Sequence, residues 1–187
     1  MRCAGVYVES FLKVRFPILT NKVNYRNHRK LAIIDGKVGF VGGCNIADRY
    51  IDGGKWGKWR DTMLFLRGAA VYGLQSSFLV DWYFANRSFV SGKRYFPEVD
   101  RRGSALVQIV DSDPVGDVRT IMSGLIKLLS TARNYIYLQT PYFMPDAAFI
   151  SSLKCAAVSG VDVRVMIPEE SDSFLAGHIS MSYLGEL

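Results

Sequence analysis

The 187-residue chain is poor in cysteine and histidine, with three of the first and two of the second. Cys3, Cys44 and Cys155 are odd in number and form no close Cys-x-x-Cys pair. Neither a disulfide framework nor a zinc site is indicated, and a reducing, cytoplasmic setting is favoured. Long apolar runs are also missing. None approaches the roughly 18 residues of a membrane span, and the opening "MRCAGVYVESFLKVRF" lacks the compact apolar block of a secretory signal, so the chain reads as soluble. Disorder is excluded by a composition that is 49% hydrophobic and 21% charged.

What is present is positive charge in one place. Of the net +6, residues Met1 to Arg67 hold 13 Lys and Arg against 5 Asp and Glu, leaving 10 against 12 for the remainder. A solvated basic face is the bland explanation. A histidine inside that region also makes an anionic substrate reasonable, and phosphodiesters of nucleic acid and of phospholipid headgroups both qualify.

The basic region surrounds "NYRNHRKLAIIDGKVGFVGGCN", Asn24 to Asn45. Leu31 to Ile34 and Val38 to Val41 read as the two strands of a hairpin, with "DGK" at Asp35 to Lys37 as the turn. Asp61 to Gly68 reads as a further strand, and Val71, Leu74, Phe78, Leu79 and Trp82 at helical spacing predict a helix from about Ala69 to Ala85. The polar, Gly- and Pro-containing segment Asn86 to Ser104 is the best linker. A second block follows: a strand at Leu106 to Val110, a helix at Asp117 to Ala132, a strand at Tyr135 to Gln139, a helix capped by Asp146 with Gly160 just past its end, and a strand in "VDVRVMIP". Alternating strands and helices predict an α/β sandwich with parallel pairing. Both ends look cut. "GVYVES" resembles the tail of a strand without partners, and "ISMSYLGEL" stops inside an apparent helix, which suggests a fragment of a longer protein.

In an extended chain, residues two apart share a face, so His28 and Lys30 project together with Arg29 opposite. One phosphate can meet both. A neutral imidazole can attack phosphorus to form a covalent phosphohistidine while the Lys30 ammonium stabilises charge on the non-bridging oxygens, and neither role calls for a metal. Asp35 follows at the strand end, Gly42 and Gly43 permit close backbone approach, and Asn45 offers an amide to an oxyanion. For His-x-Lys alone, a surface hairpin with solvated side chains is the alternative.

The longer string "HRKLAIIDGKVGFVGGCN" matches the H-x-K-x4-D…G-G-x-N signature of the phospholipase D superfamily position by position. With "NYRNHRK", "WRDT" at Trp59 to Thr62, "FLVDWYFA" at Phe78 to Ala85 and "QTPYFMPD" at Gln139 to Asp146, the chain resembles the bacterial cardiolipin synthases over nearly its whole length. The resemblance implies a bilobal α/β phospholipase D-like sandwich, with two such motifs meeting at one active site. Residues 1–100 would be the first half, lacking its N-terminal part, and 101–187 the start of the second. It further implies that one histidine attacks the phosphodiester while the other serves as acid and then base. His28 would be the first-half histidine, Lys30 and Asn45 phosphate ligands, and Asp35 the motif carboxylate. Gly43 would line the substrate site, and Asp61 at the next strand's start would orient the histidine ring; an ion pair with Arg60 is the alternative for Asp61. His178 cannot centre a second motif, because Ser180 and Gly185 stand where Lys and Asp are required. That motif should lie beyond Leu187, in a missing C-terminal half.

Gln139, Thr140, Pro141 and Tyr142 follow a strand where α/β folds place binding loops, so they are expected to line the site. Tyr50, Trp56 and Trp59 are candidates for lipid contact, with packing as the alternative. The expected partners are phosphatidylglycerol, other phospholipids and the cytoplasmic side of the cell membrane; nucleic acid is disfavoured, and no cofactor is expected. A phospholipase or nuclease of the same superfamily and a non-catalytic lipid-binding module are the rival functions.

Overall fold

The hairpin strands form as β1 (Lys30–Ile34) and β2 (Val38–Gly42), antiparallel, with Ala32 opposite Phe40. The structure is a computed structural model that describes residues 2–11, 27–54, 57–100, 103–112 and 119–187. Asp35 and Gly36 both have positive φ, 54° and 66°, and Lys37 N–H closes the turn on Ile34 O at 3.0 Å. Primed hairpin turns require this backbone, and Asp-Gly tolerates it. β3 (Met63–Arg67) adds antiparallel to β2, completing a sheet of order β1-β2-β3.

Helix α1 (Ala70–Asn86) packs on one face of this sheet. Gly39 makes the approach possible, since a Cβ there would stand 2.7 Å from Leu74 Cδ1. Val71 and Leu74 are buried between helix and sheet, and burying such side chains contributes roughly 1.5–3 kcal/mol each. Phe78, placed on the apolar face by its spacing, is instead 41% exposed and stacks on Trp82. On the sheet face away from α1, Phe40 and Phe65 pair across the strands at 5.0 Å.

The chain divides into two units, Met1–Ile109 and Val110–Leu187. Three elements differ from the sequence expectation. Gly5 to Ser10 is irregular rather than a strand tail. The expected linker folds back onto the first unit: a Cβ on Gly36 would meet Tyr95 O at 2.6 Å and Pro97 Cδ at 2.7 Å, and the Tyr72 hydroxyl donates to Pro97 O. Leu106 to Val110 is extended but joins no ladder; Ile109 packs against Gly73 of α1. A strand needs a hydrogen-bonding neighbour, and among the described residues none is at hand.

The second unit contains α2 (Thr120–Thr131), β4 (Tyr135–Gln139), α3 (Ala147–Val158), β5 (Asp162–Met166) and α4 (Phe174–Leu184). β4 and β5 pair in parallel, connected through α3. Residues 117 and 118 of the expected first turn of α2 lie outside the described residues. α3 begins where the sequence predicts: the Asp146 carboxylate accepts from Phe149 N–H at 2.9 Å, and Gly160 follows the helix at φ +89°. Leu129, Ile136, Phe143, Phe149, Leu153 and Val161 form the core between helices and sheet. Ser180 of α4 is buried there, its Oγ accepting from Phe143 N–H at 2.9 Å. The described residues thus form a mixed α/β structure with mostly helical content and two small sheets.

Candidate active site

Three strand ends coincide in the first unit, with Lys30, Gly42 and Met63 in register across the sheet. The residues just outside the ladder are His28 before β1, Gly43 to Asn45 after β2, and Asp61 and Thr62 before β3. Gly43 N–H donates to Thr62 O at 3.2 Å. Gly43 also admits the Asp61 side chain, because a Cβ at position 43 would run into the Asp61 carboxylate.

Strand alternation sends Lys30 to the face away from α1 and Arg29 toward α1. His28 is exposed. The Lys30 ammonium donates to the His28 carbonyl at 2.8 Å and lies 3.5 Å from His28 Nδ1. An ammonium has no acceptor, so a hydrogen bond there needs an unprotonated Nδ1, with the ring proton on Nε2. The expected partner of this ring was Asp61. Its Oδ1 instead accepts from Thr62 N–H at 2.6 Å. His28 and Asp61 stand at the same end of the sheet without sharing a hydrogen bond among the described residues.

Asn45 extends from this end, its Nδ2 donating to the Tyr50 hydroxyl at 2.8 Å. Tyr50 packs edge-on against Trp59 at 5.5 Å, and the Arg49 guanidinium lies over the Trp59 ring at 5.1 Å. The two aromatics named for lipid contact are therefore packed with each other, while Trp56 lies outside the described residues.

Asp35 is not brought to His28. It sits in the hairpin turn, at the opposite end of β1 from Lys30. The four residue steps of that strand span about 13 Å at ~3.3 Å each. The motif spacing matches one strand plus its turn, which separates the two groups instead of gathering them.

Gln139 and Thr140 belong to the second unit, at the carboxyl end of β4. Thr140 N–H donates to Met166 O at 3.1 Å, and its hydroxyl bonds the backbone of Tyr142. Tyr142 OH donates to Asp172 at 2.5 Å, holding this loop against the start of α4. His178 is exposed on α4, its Nδ1 2.8 Å from Phe174 O and its ring against Phe174, which is a local packing role. The shifted titrations lie elsewhere, on β4 and β5: Arg164 and then Tyr137 hydrogen-bond Asp162 and hold its carboxyl below the usual carboxylate range, and that bond raises the Tyr137 phenol.

Sequence reasoning missed the group that holds the His28 segment. Arg29 Nη1 reaches both oxygens of Asp81 on α1 at 2.6 Å, Asn27 Nδ2 donates to Asp81 Oδ2 at 2.7 Å, and Arg29 N–H donates to Asn27 Oδ1 at 2.9 Å. The Arg29 and Asp81 side chains retain 27% and 18% of their exposure. Asp81 is the one charged residue in the 17-residue helix α1, a lone carboxylate in an apolar run, and that was the available signal.

These features bring an imidazole, an ammonium and an amide to one end of a sheet, and comparison with known proteins shows what the chain is similar to. Residues 125–187 match the family described as "Cardiolipin synthase, PLD-like domain"; the match falls on the second unit. The cardiolipin synthase of Listeria monocytogenes serotype 4a (strain HCC23) is 46% identical over 186 residues, covering 98% of this chain and 39% of that protein. "Cardiolipin synthase 2" of Staphylococcus epidermidis (strain ATCC 12228 / FDA PCI 1200) is 44% identical over 174 residues, covering 91% of this chain and 36% of that protein. The chain is similar to these cardiolipin synthases over nearly all of its own length, matches the PLD-like domain family over residues 125–187, and spans about two fifths of the length of these relatives.

Proposed function

We propose that this chain forms part of a phosphatidyltransferase that makes cardiolipin from two phosphatidylglycerol molecules and releases glycerol. Residues 1–100 are read as the first phospholipase D-like half and 101–187 as the start of the second, with the second motif supplied by further sequence. His28 provides one of the two imidazoles. A histidine nitrogen bonds to phosphorus as the phosphorus–oxygen bond to glycerol breaks, and the other histidine protonates the departing oxygen. The hydroxyl of a second phosphatidylglycerol, giving its proton to that same histidine, then displaces the imidazole. Lys30 and Asn45 bind the phosphate oxygens, and Gly43 keeps the backbone close to them; Gln139 and Thr140 are read as substrate-binding residues of the second unit. The reaction takes place at the cytoplasmic face of the membrane.

The observation that carries this reading is that the Lys30 ammonium lies against His28, at the end of the sheet where Gly43, Asn45 and Asp61 also stand. The 46% identity to a cardiolipin synthase over nearly the whole chain supports the choice of lipid acceptor. The test is to exchange this chain for its counterpart segment in the Listeria monocytogenes protein and supply phosphatidylglycerol vesicles. Cardiolipin and free glycerol are the expected products. Phosphatidic acid alone would mean that water is the acceptor and the activity is that of a phospholipase. Cleavage of DNA in its place would mean a nuclease, and vesicle binding without turnover a lipid-binding module.

A further inference from the structure

We propose that Asp81 is the positioning residue of the His28 site. It lies 53 residues away in sequence, on α1, and nothing in the motif announces it. Its carboxylate binds both residues that flank the histidine, Asn27 through Nδ2 at 2.7 Å and Arg29 through Nη1 at 2.6 Å. Asn27 and Arg29 are themselves linked by the Arg29 N–H bond to Asn27 Oδ1. The three side chains and the intervening backbone form a closed loop whose outermost residue is His28. Strand alternation then sets the direction: with Arg29 drawn toward the helix, His28 and Lys30 are turned to the opposite face.

His28 precedes the β1–β2 ladder, which begins at Lys30, so ladder hydrogen bonds do not hold it. The Lys30 contacts come from a flexible side chain that a bound phosphate would draw away. The Asp81 clamp is an anchor that remains when substrate engages Lys30. It joins the reactive segment to α1, whose Val71 and Leu74 are fixed in the core of the same unit. Placement errors of about 1 Å at a reacting group can cost on the order of 100-fold in rate, so such an anchor matters to catalysis without touching substrate. This inference rests on the reading of His28 as a reacting imidazole; the clamp itself does not.

Two measurements separate these. Backbone 15N relaxation of the 187-residue chain reads the clamp directly. In the unaltered chain the His28 and Arg29 amides should show order parameters near ~0.85, and in Asp81→Asn these should fall toward ~0.6 while His178 is unchanged. Arg29→Gln should do the same, and the double variant should be no worse than either single one. Unchanged order at His28, an equal loss at His178, or additive effects of the two substitutions would each overturn the proposal. In the Listeria chimera, Asp81→Asn should lower kcat about tenfold at unchanged KM. A raised KM with kcat retained would assign Asp81 to substrate binding and would also overturn it. If relaxation shows the clamp but the unaltered chimera turns over no lipid, the functional reading fails and the anchoring role of Asp81 stands.

Discussion

At the scale of single residues, the chemistry separates from the motif that advertises it. His28 and Lys30 are neighbours in space, whereas Asp35 occupies a left-handed turn position at the far end of the strand. Aspartate and asparagine both tolerate positive φ, while a β-branched residue there costs about 1–2 kcal/mol. Asp35→Asn is therefore expected to leave melting temperature and chimera activity near the unaltered values, and Asp35→Val to lower stability by about 1–2 kcal/mol in chemical denaturation. Loss of activity in Asp35→Asn with stability intact would restore a chemical role to the carboxylate. The shared direction of His28 and Lys30 was legible because side-chain alternation is a property of the extended chain. The partner of Arg29 was not, because Asp81 is 52 residues away and an ion pair leaves no periodic trace.

Among the secondary-structure elements, local signals succeeded where the interaction was local. α3 announced itself through its cap, and the capping bond is present as expected. Asp146→Ala should cost about 1 kcal/mol, measured as a shift in the denaturant midpoint of the second unit with the first unit unaffected. No shift would mean that helix packing alone sets where α3 starts. Leu106 to Val110 carries a strand-like pattern but lies extended against α1 through Ile109, since strand formation depends on a neighbour that no local pattern specifies. The segment Asn86 to Ser104 reads as a linker because it is polar and contains glycine and proline. Its turn at Gly92 to Phe96 instead seats Tyr95 and Pro97 over the buried Gly36 of the hairpin, a contact written nowhere in its composition.

For the whole molecule, the chain spans about two fifths of relatives such as the Listeria protein, and its two histidines are not equivalent. His178 is engaged with Phe174 on its own helix, which leaves His28 as the imidazole of the proposed site. Transfer between two lipid alcohols needs a second imidazole to protonate the departing glycerol, which would otherwise leave as an alkoxide, a poor leaving group near neutral pH. The chain alone should accordingly form no appreciable cardiolipin, and a homodimer pairing two copies of His28 is the arrangement that would allow it to. The most direct test of the central claim is cardiolipin formation by the Listeria chimera with His28 intact and with His28→Ala, each checked for unchanged folding by circular dichroism. The account predicts product from the first and a loss of at least about 1,000-fold in the second, as expected for removal of a nucleophile or its acid–base partner. Near-normal cardiolipin formation by the folded His28→Ala protein would contradict it.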